Sequence, residues 1–139
     1  MADYFDGKKF GSILAFGPYT RDNITASQSN VDLTYAQANY VIMPADGRVV
    51  GISIYANAAA TAGTCTVRAH KASTEMAASG YPAPVLNATT SQVSYATVRP
   101  GAVTFSAGDK LGLSIVTDAT WSPATLELDG WLFVQLDPS

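Results

Sequence analysis

The stretch that decides the fold is residues 126–136, LELDGWLFVQL. Successive Cβ atoms of a strand point to opposite faces, so a strand resting on a core alternates apolar and polar side chains. Leu126, Leu128, Gly130, Leu132, Val134 and Leu136 share one face, which reads as core. Glu127, Asp129, Trp131, Phe133 and Gln135 share the other, which begins charged and turns aromatic. Leaving Trp131 and Phe133 in water would forgo roughly 1.5–3 kcal/mol of burial apiece, so something is expected to cover them.

The same alternation recurs upstream. Val50, Ile52 and Ile54 fall on one side of RVVGISIYA (48–56), Cys65, Val67 and Ala69 on one side of TCTVRAH (64–70), and Leu111, Leu113 and Ile115 on one side of KLGLSIVT (110–117). NYVIM (39–43), VSYATV (93–98) and AVTF (102–105) are shorter runs of the same kind, with SILAF (12–16) and NITASQSNVDLTY (23–35) weaker. Turn residues end these runs: Pro44-Ala45-Asp46-Gly47, Arg99-Pro100-Gly101 and Ala107-Gly108-Asp109. The expectation is an all-β domain, an antiparallel two-sheet sandwich over residues 23–139, with 1–22 as an N-terminal arm or edge segment. Residues 71–92 show neither period and read as a long surface connection. ADGRVVGISIYANA (45–58) echoes AGDKLGLSIVTDA (107–119), as two similar hairpins of one sandwich would.

Composition narrows the function. The chain has 139 residues, 47% apolar and only 14% charged, below the usual quarter for soluble domains. Such a surface is dressed with Ser, Thr, Asn, Gln and Ala, or lies partly against other protein. Net charge is −3 with scattered basic residues, which argues against a nucleic-acid partner. No run reaches the ~20 apolar residues of a membrane span, and MADYFDGKKF lacks a signal-peptide core, so no membrane partner and synthesis in a cytoplasm are expected. The single Cys65 cannot form an internal disulfide.

Chemistry-bearing residues are sparse. One His, one Cys, two Glu and nine Asp without a D-x-D-x-D loop provide no metal site and call for no cofactor. His70 is expected to face solvent beside Arg68, Cys65 to be a small buried hydrophobe, and Ser53 in GISIY sits mid-strand rather than on a nucleophile elbow. Glu127 and Asp129, two apart, read as a solvated strand end rather than a glycoside-cleaving pair. No catalytic residue is assigned, and the protein is expected not to be an enzyme. The charge deficit and lack of disulfides favour a neighbouring copy as the cover for Trp131, Phe133 and Gln135, in a closed ring that is most simply a trimer.

The run Met43-Pro44-Ala45-Asp46-Gly47-Arg48-Val49-Val50-Gly51-Ile52, followed by Ala62-Gly63-Thr64-Cys65-Thr66-Val67, resembles the first half of jelly-roll domains in tailed-phage structural proteins. Phe105-Ser106-Ala107-Gly108-Asp109-Lys110-Leu111-Gly112-Leu113, then Trp121-Ser122-Pro123-Ala124-Thr125 and the final strand, resembles the second half, so the likeness runs from about residue 38 onward. The family includes head decoration (cement) proteins, fibre knobs and tail-tip modules, and shares its architecture with trimeric tumour-necrosis-factor and C1q-like domains. The resemblance implies a non-enzymatic virion component of jelly-roll type. With about 37 residues before the first strong strand, a small decoration protein fits better than a fibre: a homotrimer on the major capsid protein that bridges neighbouring subunits. Tyr4, Phe5, Lys8, Lys9 and Phe10 would form an arm ordered against the shell, although a frayed terminus or first edge strand suits them equally. The competing function is a receptor- or glycan-binding knob presenting exposed aromatics such as Trp121.

Overall fold

The computed structural model describes residues 13–33, 40–72, 74–76, 82–99 and 101–137, and the arm residues Tyr4, Phe5, Lys8, Lys9 and Phe10 lie outside them. The strands are β1 (Ile13–Arg21), β2 (Val31–Asp32), β3 (Val41–Ile42), β4 (Gly47–Ala56), β5 (Cys65–Lys71), β6 (Thr74–Glu75), β7 (Val85–Leu86), β8 (Val93–Thr97), β9 (Thr104–Phe105), β10 (Lys110–Thr117) and β11 (Leu128–Leu136). They form two antiparallel sheets. One runs β1-β11-β4-β8 with β9 also on β4, and the other runs β2-β10-β5-β6 with β3 on β10 and β7 on β5.

The closing strand lies inside the first sheet, paired with β1 on one side and with β4 on the other. Its face of Leu128, Leu132 and Val134 is buried, as are Val49, Ile52, Ile54 and Ala56 of β4. Across the sandwich they meet Cys65, Val67 and Ala69 of β5 and Leu111, Leu113 and Ile115 of β10 in one core. The alternation therefore named the inward residues of β5, β10 and β11, and Ile52 and Ile54 of β4; the expected Val50 is instead outward, because the irregularity opposite Phe133 and Val134 shifts the parity and buries Val49 in its place. Gly130 interrupts the leucine row for a steric reason: a Cβ there would stand 2.7 Å from both Leu113 Cδ1 and Leu33 Cδ2. Its absence lets Leu33, entering just after β2, plug the space between the sheets.

Three expectations change. Of residues 23–35, the described ones, 23–33, contribute only the short β2 as strand, and Ile24 and Leu33 act instead as buried loop plugs. The Ile24 amide donates to Leu126 O at 3.2 Å and the Leu33 amide to Leu113 O at 2.9 Å, so loop backbone is satisfied while its side chains fill the core. Residues 71–92 are not a plain surface connection: β6 and β7 extend the second sheet, and Leu86 is fully buried opposite Cys65. Ile13–Phe16 of SILAF begin a nine-residue strand, and among the described residues β1 is the edge strand of the first sheet. The two echoing segments become β4 and β10, an inner strand of each sheet, and their turns touch through the Ala107 amide, which donates to Asp46 Oδ1 at 2.9 Å.

Candidate functional site

Register places the second face of β11 within a wider surface. Phe133 is level with Ala15 of β1, Gly51 of β4 and Thr97 of β8, while Trp131 is level with Ser53 and Tyr95. One row further, Thr20, Asp129, Tyr55 and Val93 line up, and at the opposite end Ile13, Gln135, Arg48 and Thr104 do. All of these positions alternate with core residues, so they share the outward face of the β1-β11-β4-β8 sheet.

That face is apolar and open. The indole of Trp131 lies over Gly17, where an added Cβ would come within 3.1 Å of its Cδ2 and Cε3 atoms, yet Trp131 remains 37% exposed. Phe133 is half-buried and borders a hollow of about 300 Å³ that is also lined by Ile13, Val50, Gly51 and Tyr95. Gly51 contributes no side chain, which is why the sheet dips there. Around the hollow Ile13 is 62% and Tyr95 76% exposed, and Tyr55 and Val93 are exposed as well. Taking about 200 Å² per aromatic side chain, Tyr55, Tyr95 and Trp131 alone present about 330 Å². With Ile13 and Val93 added, the patch sits at the upper end of what monomers usually show, about 300–600 Å².

Charged groups confine themselves to its two ends, and between them, apart from the polar tips of the aromatic side chains, the side-chain polar atoms in these rows are the hydroxyls of Ser53 and Thr97. At one, Arg48 Nη2 donates to Gln135 Oε1 at 2.6 Å. At the other, the Thr20 hydroxyl donates to Asp129 Oδ1 at 2.8 Å, and a hydrogen bond with Asp22, reinforced by that carboxylate's charge, holds the Glu127 carboxyl above its ordinary range. The structure thus places Trp131, Phe133 and Gln135 together, with Gln135 at the polar rim. It adds Ile13, Tyr55, Val93 and Tyr95, which sequence reasoning missed.

Other candidate residues lie elsewhere. Trp121 does not face a ligand: it is 4% exposed, and its indole N–H donates to Ile24 O at 3.0 Å, so the loop that carries it closes one end of the core. His70 is on the outward side of its strand, as its parity requires, but is 1% exposed rather than solvated. It is level with Gly112, and Gly112 is covered by the ring of Tyr40, where a Cβ would meet Tyr40 Cε1 at 2.4 Å. The Tyr40 hydroxyl donates to Asp32 Oδ1; burial first, and this bond second, push its phenol pKa up. Cys65 is buried, and burial pushes its thiol up to about 12. Among the described residues no group of three or more His, Cys, Asp or Glu is arranged to hold a metal ion.

No family model and no curated protein matches the chain. Among solved structures it is similar to a chain of the "Cyanophage Pam1 capsid asymmetric unit", at 11% identity and a TM-score of 0.47, over 92% of this chain and 87% of that one.

Proposed function

We propose that this chain is a non-enzymatic structural protein of a virion: a decoration (cement) protein that forms a homotrimer through the outward face of its β1-β11-β4-β8 sheet and bridges neighbouring capsid subunits. The observation that carries the proposal is that face, with an uncharged centre, three exposed aromatics and charged groups only at its ends. An apolar centre inside a polar rim is the composition of a protein contact. Burying the face in a ring would cover Trp131 and Phe133 and would account for a chain that is only 14% charged. A structural role also fits the inertness of its few reactive groups: the lone imidazole and the lone thiol are both buried.

The strand order supports the jelly-roll reading. First and last strands lie side by side in one sheet, and the chain crosses between sheets at β1–β2, β3–β4, β4–β5, β7–β8, β9–β10 and β10–β11. In the assembled ring the second sheets and the loops would point outward, leaving them to grip the shell and oppose the pressure of packaged DNA.

Sedimentation velocity at micromolar concentration tests the ring, with three times the 14.5 kDa protomer mass expected. Co-sedimentation with particles stripped of the protein tests the role. A monomer that leaves such particles bare would overturn the proposal, and saturable binding to host cells or a glycan array would favour the receptor-binding knob.

A further inference from the structure

In a three-fold ring each contact is heterologous, so the outward sheet face of one copy meets a different part of the next. The hollow beside Phe133 limits what that part can be. It measures about 300 Å³ and is walled mainly by apolar groups, Ile13, Val50, Tyr95 and Phe133 among them. A body laid flat across it would leave a void in which water finds few partners and the lining loses contacts. A protruding aromatic ring removes that loss, since an apolar cavity of ~150 Å³ already admits benzene. The sequence supplies such a ring next to the hollow. Twelve residues, MADYFDGKKFGS, precede Ile13, which lines the rim, and Phe10 lies three positions ahead of it, outside the described residues. Ile13 is level with Gln135, so a chain continued backward along β1 would run off the end of the sheet, whereas Gly51, Ser53, Tyr95 and Thr97 lie in the other direction. To enter its own hollow, Phe10 would have to reverse over Gly11 and Ser12 and still cross two strand spacings, ~10 Å. Three residues span at most ~10 Å fully extended. Continued straight, the same segment leaves its own body, and twelve residues reach up to ~40 Å.

We infer that Phe10 of one copy fills the hollow beside Phe133 of the next, so that each contact of the ring is completed by an exchanged N-terminal segment. Charge agrees with this placement and sets its direction. Beyond Trp131 the face ends in carboxylates, Asp129 and then Glu127 beside Asp22, and at the other end it carries Arg48. A segment with Phe10 beside Phe133 that runs on toward Trp131 carries Lys9 and Lys8 toward the carboxylates, and the reverse course would carry them toward Arg48. The inference rests on the ring reading and adds to it the group that one copy lends to another. It assigns the segment that reads from the sequence as a shell-binding arm to the neighbouring protomer instead.

Disulfide trapping on the full chain tests this. Gly11→Cys together with Thr97→Cys keeps Phe10, sets one thiol next to it and the other on the exposed wall of the hollow, and each single variant measures random collision. The native Cys65 is buried and stays out of the reaction. Under mild oxidation the double variant is expected to form disulfide-linked dimer and trimer about ten-fold faster or more than either single variant, and adding Phe10→Ser should return the rate to theirs. Phe10→Ser alone should weaken association by about ten-fold or more in sedimentation velocity, as loss of a buried aromatic anchor does. Linkage within one chain and no ladder would overturn the inference by seating the segment on its own body. Rates equal to those of the single variants, or a ladder that Phe10→Ser leaves unchanged, would also overturn it. So would a thiol at 11 shielded from maleimide only when stripped particles are added, which assigns the segment to the shell. Sedimentation of the unmodified protein separates the two proposals: a trimer with control-rate linkage removes the exchange and leaves the ring, and a monomer at every concentration removes both.

Discussion

Replacing Tyr95 by Thr isolates the apolar face from the fold. Tyr95 is 76% exposed and points away from the core, and Thr, being β-branched, suits a strand as Tyr does, so the protomer should lose no more than about 0.5 kcal/mol of stability. The effect on association is larger. With 76% of about 200 Å² still open, the ring offers roughly 150 Å² to a partner, and at about 25 cal/mol per Å² its complete burial contributes ~4 kcal/mol. Burial of half that area contributes ~2 kcal/mol, so the substitution should weaken each contact by roughly thirty-fold to several hundred-fold. Sedimentation velocity over a dilution series reads the association constant, and urea unfolding at a concentration where both proteins are monomeric reads the fold. An unchanged association constant would refute the assignment of this face. A large fall in protomer stability would refute the claim that Tyr95 lies outside the core.

Leu132→Ala empties a fully buried position at the centre of β11 and should cost about 2–5 kcal/mol in urea unfolding; a loss below 1 kcal/mol would mean that the leucine row is not the core. Gly63→Ala should cost at least about 2 kcal/mol, because Gly63 has φ +72° and its Cβ would stand 2.4 Å from the Trp121 backbone nitrogen, where nothing can yield. Alkali should also weaken the fold. Burial holds the Tyr19 phenol and the Cys65 thiol up to about 12, above ordinary values of 10.0 and 9.0. The unfolded chain therefore loses these protons first, the folded chain binds more of them in between, and stability is intact below about pH 9 and falls as pH rises toward 12. Urea midpoints at pH 8, 10 and 11 check this, and Cys65→Val should flatten the lower part of the decline.

What the sequence made legible follows from the length of each pattern. The long strands carry enough period-two positions to name most of their inward residues, but a bulge breaks the period unannounced, which is why Val50 rather than Val49 was expected inside β4; the aromatic half of β11 was readable as a surface needing cover. β8 shows where the method fails. Its alternation separates Val93, Tyr95 and Thr97 from Ser94 and Ala96, but says nothing about which set faces in. Register with β4 sends the bulky residues outward, against the habit of placing the larger side chains inside. Without that register, Tyr95 and the hollow beside it were invisible. Trp121 and His70 were misplaced for a related reason. The carbonyl that satisfies the Trp121 indole belongs to Ile24, 97 positions away, and His70 has the right parity but lies on a face that Tyr40 and its neighbours cross. Two-residue strands such as β7 are too short to show any period, so Leu86 was lost in what read as a loop.

The central claim is that a second copy covers the outward face of the β1-β11-β4-β8 sheet, and Trp131 reports on it directly. In a Trp121→Phe background Trp131 is the only indole, and acrylamide quenching measures its exposure. Quenching should be weak at tens of micromolar protein and should rise on dilution into the nanomolar range as the copies separate. Equal, strong quenching at every concentration would show an indole that nothing covers, and would contradict the account.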